Sequence, residues 1–314
     1  MIGFVAGRAA QSVVTILIAS LVLFFVVRLV PGDPVTAYAG LDATPEQIES
    51  VRAEFGLDRP FYEQYARWLG GIATGNLGKS ITTRADVADI IGQRTFPTLV
   101  LSAGAIVVLV VAVAVFGVLP AIFRNGGIDT LLTVIAAALY GAPVYWTGLL
   151  CILLFSVKLK LVPIGGFVDP FQDPFGCLRS MAMPCGVLGI ALGASLSRFV
   201  RASFLEVLNQ DHVRLAYAKG ASTFRVIRAH VLRNSLTTIL TVAGITVASL
   251  IGGSVIIESV FAWPGLGRLL LSSVLSHDYP VVQSIVMYYA IAFVATNIVV
   301  DILYVVVDPR LRAG

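Results

Sequence analysis

Residues Thr95 to Phe123 read TFPTLVLSAGAIVVLVVAVAVFGVLPAIF, twenty-nine consecutive positions without an Asp, Glu, Lys or Arg. A helix rises about 1.5 Å per residue and bilayer hydrocarbon is about 30 Å thick, so roughly 20 such residues cross it. Five more charge-free stretches lie along the chain: Ala9 to Val27, Thr130 to Val157, Ser180 to Ser197, Asn234 to Ile257 and Tyr279 to Val300. The pattern predicts an all-α membrane protein with about six transmembrane helices, forming one membrane domain over residues 1–314. The fourth stretch is the shortest and carries Gly186, Gly189 and Gly193. Small residues let helices approach closely, and the helix is expected to continue past Arg198 toward Leu208.

Composition agrees. Of 314 residues, 57% are hydrophobic and 13% charged, with a mean hydropathy of +0.89, more apolar surface than one soluble core of this length can bury. The net charge of +4 sits at the ends of the apolar stretches, so it reads as a topology signal and not as a nucleic-acid surface. The first stretch has an alternative reading as a signal peptide, with Ala37-Tyr38-Ala39 as a small-residue cleavage site. Its length exceeds the roughly 7 to 15 residues of a cleavable core.

Between the fourth and fifth stretches stand Arg198, Arg201, Arg214, Lys219, Arg225, Arg228 and Arg233 against Glu206 and Asp211. Positive loops stay inside, which predicts a cytoplasmic loop at 208–233 and cytoplasmic N- and C-termini, Arg8 at one end and Arg310 and Arg312 at the other. Residues 31–94 then form an extracytoplasmic helical insertion, with nine acidic and six basic residues over Pro31 to Arg94. Thr44-Pro45-Glu46-Gln47 predicts a capped helix start, closed at Gly56. After Pro60, residues Phe61, Tyr65, Trp68, Leu69 and Ile72 share one helical face. That face is suited to packing on the bundle or lipid headgroups, or to docking an external partner.

Enzymatic motifs are thin. Gly78-Lys79-Ser80 resembles the end of a phosphate loop, but Ala73 stands where the motif needs its first Gly. His212, His230 and His277 are far apart in sequence, the first two on the basic loop and the third on the opposite side, so no metal site or triad is expected. Asp301, one turn after Asn297, is a polar pair at the cytoplasmic end of the last stretch; its carboxylate is expected to meet an Arg of the basic loop, with a proton relay as the alternative. Thr241, Thr246, Ser249 and Ser254 are candidates for a translocation path, or else helix-packing groups. Cys177 and Cys185 flank Pro184 in what reads as a loop before the fourth stretch, which allows a disulfide.

The basic loop carries Asp211-His212-Val213-Arg214-Leu215-Ala216-Tyr217-Ala218-Lys219-Gly220-Ala221, followed by His230-Val231-Leu232-Arg233-Asn234. It resembles the EAA loop of ABC importer permeases, more narrowly the oligopeptide, dipeptide and nickel branch. Six further motifs are similar in order and spacing: Arg28 to Pro34, Gly56 to Pro60, Gly75 to Ser80, Arg94 to Leu99, Glu258 to Gly267, and Asp308-Pro309-Arg310, with Gln64, Tyr65 and Trp68 between the second and third. The resemblance implies a type I ABC permease fold in a bacterial or archaeal plasma membrane. It further implies small peptides as cargo, with nickel as the alternative, and as partners a second homologous permease, two cytoplasmic ATPases or one two-headed ATPase, and an extracytoplasmic peptide-binding protein. ATP and Mg would then be bound by partner chains, with no cofactor on this one. The loop implied to dock on the ATPase contains Asp211, Arg214, Ala216, Ala218, Lys219, Gly220, Ala221 and Arg225. The consensus Glu is replaced by Arg214, so its salt bridge cannot be inherited. A lone proton-driven transporter is the reading from another class. Independently of the resemblance, Gly220 marks a break where φ turns positive between a helix from about Asp211 and one from Ser222 or Thr223.

Overall fold

The computed structural model describes residues 2–29, 44–54 and 58–307. Among them the structure is helical: α1 Ile2–Leu29, α2 Pro45–Glu54, α3 Phe61–Thr74, α4 Val87–Ile122, α5 Gly127–Gly141, α6 Val144–Lys158, α7 Pro174–Leu208, α8 Asp211–Ala218, α9 Thr223–Val260, α10 Leu266–Leu275 and α11 Tyr279–Val307. Wide π turns interrupt α4 at Ala114–Val118 and α9 at Ile227–Val231, and a π segment over Ile152–Lys158 ends α6. Four of the expected spans are long apolar helices, α4, α7, α9 and α11. Their outward faces are bare hydrocarbon: Val107 is 64% exposed and Val110 59%. Such faces require lipid as their solvent.

The third expected span is corrected. Thr130 to Val157 is not one rod but α5 and α6, bent by 101°. The cause is Pro143, which has no N–H to continue the ladder and holds the preceding Ala142 in extended backbone at φ −78°, ψ 130°. The fourth span does extend to Leu208, and its 35 residues reach about 52 Å, well beyond the hydrocarbon thickness.

The disulfide expectation is also corrected. Helix α7 already begins at Pro174, so Cys177 and Cys185 lie in one helix and not in a loop. Eight residues of helix separate them by about 12 Å, twice the Cα distance a disulfide tolerates. Both are buried free thiols, and Cys185 Sγ lies 3.5 Å from the Leu101 carbonyl oxygen.

Two compact units divide the chain. The first contains residues 1–98 and 264–295. Its core joins Val87, Ile91, Leu266, Val281 and Ile285. Thr44 and Gln47 form the expected reciprocal cap, Gln47 N–H donating to Thr44 Oγ1 at 3.3 Å and Thr44 N–H to Gln47 Oε1 at 2.9 Å. The aromatic face of α3 packs on α1: Tyr65 and Trp68 lie 5.3 and 5.9 Å from the Phe24 ring, and Tyr65 Oη is 2.8 Å from Ser20 Oγ. Phe61 stays exposed. The phosphate-loop lookalike has a structural task here, because Ser80 Oγ donates to buried Asp278 at 2.5 Å and the Ile81 N–H to the same carboxylate at 3.1 Å. The expected motifs at Arg28 to Pro34, Gly56 and Asp308 to Arg310, and the cleavage-site tripeptide, fall wholly or partly outside the described residues.

The second unit contains residues 99–263 and 296–314. Helices α4, α7 and α9 build its core, through Leu101, Ala105, Leu188, Leu250 and Ile257. Two of the three glycines noted in the sequence make this packing possible. A Cβ on Gly189 would stand 2.6 Å from the Ala105 carbonyl oxygen, and one on Gly193 2.6 Å from Ala112 Cβ, whereas Gly186 faces open space.

Candidate functional site

The basic segment begins where α7 ends. From Gln210 the chain enters α8, with Asp211 in its first turn, where the exposed amide dipoles favour a carboxylate. The helix stops two residues before a left-handed Gly220 at φ +82°. There the Gly220 N–H donates to the Tyr217 carbonyl at 2.9 Å and the Ala221 N–H to the Ala216 carbonyl at 3.1 Å, the paired bonds of a Schellman cap. Extended Ser222 then leads into α9 at Thr223. The break at Gly220 and the second start at Thr223 fall where the sequence placed them.

What the sequence did not reveal is how the two arms are held. Val213, Val226 and Val231 are fully buried in a cluster with Leu196, Val200 and Phe204 of α7, and Ala216 and Ala221 pack against it. The segment is therefore bolted to the bundle by its valines, while its opposite face carries Leu215, 55% exposed, and Phe224, 74% exposed, beside Ala218, Lys219 and Arg225. Ala216 and Ala221, included from the resemblance, belong to the buried side, whereas Leu215 and Phe224 were not singled out. Apolar residues inside a basic loop were the signal available for them. Arg214 meets Asp211 at 3.9 Å one turn away, both side chains largely in solvent, a pair that contributes little.

Behind the segment stands the turn between α4 and α5. Arg201, counted from sequence as loop charge, belongs to α7 and grips buried Asp129 bidentately, Nε to Oδ1 at 2.9 Å and Nη2 to Oδ2 at 2.8 Å. Arg198 likewise lies on α7, with its guanidinium 4.1 Å from the Tyr140 ring centroid. Arg124 Nη1 donates to Asn209 Oδ1 at 2.9 Å. Between this turn and the segment lies a groove of roughly 200 Å³, lined by residues that include Ile122, Arg124, Asn209, Arg214, Tyr217 and Thr223. On the other flank of α8, His212 and His230 are brought together, ring centroids 6.0 Å apart, although the sequence separates them by eighteen positions. Among the described residues no three His, Cys, Asp or Glu side chains gather as metal ligands.

The four candidate path residues of α9 fall on two faces. Thr241 and Ser249 are exposed, whereas Thr246 and Ser254 are buried. All four hydroxyls donate to carbonyls of their own helix, at Thr237, Ile245, Val242 and Ile251 respectively, as packing groups do. Thr241 also bonds the Tyr304 hydroxyl. Asn297 and Asp301 are half-buried near the end of α11.

Two family models match the chain: residues 113–313 match the binding-protein-dependent transport system inner membrane component, and residues 1–103 match the N-terminal membrane component of the same systems. Among similar proteins, one described as a peptide transport system permease protein of Brucella abortus strain 2308 is 38% identical over 312 residues, 99% of each chain. A glutathione transport system permease protein of Escherichia coli K12 is 38% identical over the same length, again 99% of each chain. Among solved structures, the MetNI methionine ABC transporter in an inward-facing conformation is similar with a TM-score of 0.58, covering 70% of this chain and 96% of that one. At 18% identity that likeness concerns the fold, the type I permease arrangement.

Proposed function

Because this chain belongs to the family of binding-protein-dependent transport system inner membrane components, we propose that it forms one half of the pathway by which an ATP-driven importer moves small peptides into the cytoplasm. Membership makes it an ABC importer permease. Peptide cargo, a class that includes glutathione, is supported by the full-length similarity to permeases of peptide and glutathione systems. The remaining parts are a second permease, ATPase subunits at the basic segment, and a peptide-binding protein on the opposite side. The observation that carries the coupling role is the exposed Leu215, Ala218, Lys219 and Phe224 surface, held to α7 and α9 by buried valines and a left-handed Gly220. A surface exposed in this way must be covered, and one fixed to membrane helices passes on a push.

In this reading ATP and Mg bind to the partner ATPases. Closure of the ATPases drags the segment, α7 and α9 follow, and the pathway opens to alternate sides. The test is reconstitution in proteoliposomes. Peptide uptake is expected only with ATP, both permeases, the ATPases and loaded binding protein, and the chain alone should neither hydrolyse ATP nor transport. Uptake by the lone chain under a proton gradient would establish secondary transport instead, and uptake of nickel but not peptide would replace the cargo.

A further inference from the structure

The groove beside α8 presents two guanidinium groups to one small space. Arg124 is steered there by its bond to Asn209, and Arg214 lines the facing wall. Among the described residues no carboxylate lines the groove, and the Asp211 side chain that meets Arg214 at 3.9 Å is itself fully exposed. Two like charges with only that screened partner call for an anion between them. Tyr217 and Thr223 add hydroxyls to the same lining.

The other part of the lining is apolar. Ala121, Ile122, Leu208 and Ile227 also line the groove, where α4 and α7 end and α9 begins, and Leu119 and Phe123 are exposed beside it. A lining that combines cationic and apolar side chains at helix ends matches a headgroup with its acyl chain attached. At roughly 200 Å³ the groove has room for one phosphodiester. We propose that this groove binds the phosphate of an anionic phospholipid of the leaflet facing the segment, through Arg124 and Arg214.

The site leaves the coupling surface free. Leu215 lies about 100° around α8 from Arg214 and further still from Tyr217, with Lys219 just past the helix end, so lipid at Arg214 and an ATPase at Leu215 occupy the segment together; Ala218, four residues after Arg214, borders both. The bound phosphate gives Arg214 a second anion beside the solvent-exposed Asp211 carboxylate, and the proposal rests on the reading of this segment as cytoplasmic.

The experiment uses the purified chain in neutral detergent, with native mass spectrometry and thermal unfolding as readouts. Phosphatidylglycerol or cardiolipin should be retained and should raise the unfolding temperature, while phosphatidylcholine should do neither. In the Arg124→Gln/Arg214→Gln double variant, lipid affinity should fall roughly tenfold for each guanidinium removed, because hydrogen bonds to charged groups are the strong ones. The Arg124→Lys/Arg214→Lys variant should keep part of it, which separates loss of charge from loss of fold, and Arg233→Gln, outside the groove, should behave as wild type. Equal retention by wild type and the Gln double variant would overturn the proposal, as would equal retention of phosphatidylcholine. Full stabilisation by excess inorganic phosphate, with nothing added by lipid, would make this a free-phosphate site. Loss of ATPase attachment in the Gln double variant with lipid retention intact would assign the groove to the ATPase. Failure of the wild-type segment to bind any ATPase would instead count against the importer reading, which the lipid measurement on the isolated chain does not require.

Discussion

Gly220→Val tests whether the angle between the two arms of the basic segment couples them to transport. At φ +82° the backbone sits where an L side chain is disfavoured, by about 1 to 2 kcal/mol for an ordinary residue and up to about 3 for a constrained one. No atom lies within 4 Å of a Cβ built there, so the cost is conformational and not a clash. The alternative is for the backbone to leave the left-handed region, which breaks the Gly220–Tyr217 and Ala221–Ala216 bonds at about 1 kcal/mol each. Both routes cost about 1 to 3 kcal/mol, a shift of about five- to 150-fold toward misaimed arms. Wild-type assembly is expected, because Val213 and Val226 still anchor the segment. Peptide uptake and stimulation of ATP hydrolysis by loaded binding protein should both fall. Gly220→Asn, which enters the left-handed region more readily, should retain most of the coupling. Coupled transport at wild-type level by the Val variant would refute the reasoning, and so would an Asn variant as defective as Val, since bulk and not φ would then be at fault.

Asp129→Asn should destabilise the chain by about 2 to 3 kcal/mol in detergent unfolding, below the value for a fully buried pair because the Arg201 side chain is 29% exposed. The Asp129→Leu/Arg201→Met double variant should recover most of that loss, and a single variant as stable as wild type would remove the pair from the account. Alkylation under denaturing, non-reducing conditions should add three groups per chain, at Cys151, Cys177 and Cys185, with the intact mass unchanged by prior reduction. Only one adduct without reductant would restore the disulfide.

Legibility in the sequence followed the range of the interaction. The Thr44–Gln47 cap, the Gly220 break and the continuation of α7 to Leu208 depend on neighbours three or four residues away, and each was readable from local chemistry. The bend at Pro143 was local too, but a count of uncharged residues passes over proline, so two helices read as one. Arg198 and Arg201 fall within α7, as its expected continuation to Leu208 implied, but the partners that hold them, Tyr140 and Asp129, were not readable. Pairings across 72 residues, as between Asp129 and Arg201, or 198, as between Ser80 and Asp278, leave no mark in a single sequence. The residues proposed for coupling were suggested by resemblance, and the division into a buried valine side and an exposed Leu215 and Phe224 side required coordinates.

The distribution of rigid and free contacts decides which way a push on the segment travels. Two attachments tie it to the bundle, the wholly buried valines and the Arg124–Asn209 bond, and about two turns back along α7 the bidentate Asp129–Arg201 pair ties α7 to α5. A close-packed cluster of this kind transmits displacement and does not absorb it. The π turn at Ile227–Val231 lies immediately after the second arm, where the helix is locally wider and its hydrogen-bond register can shift. In the proposed coupling role, movement of the exposed surface would reach α7 and the start of α9 through one valine cluster, whose Val231 lies inside the π turn. On that proposal the π turn of α9, which α7 lacks, is where the two packed helices could answer one push unequally, as a pathway that closes at one end while it opens at the other requires.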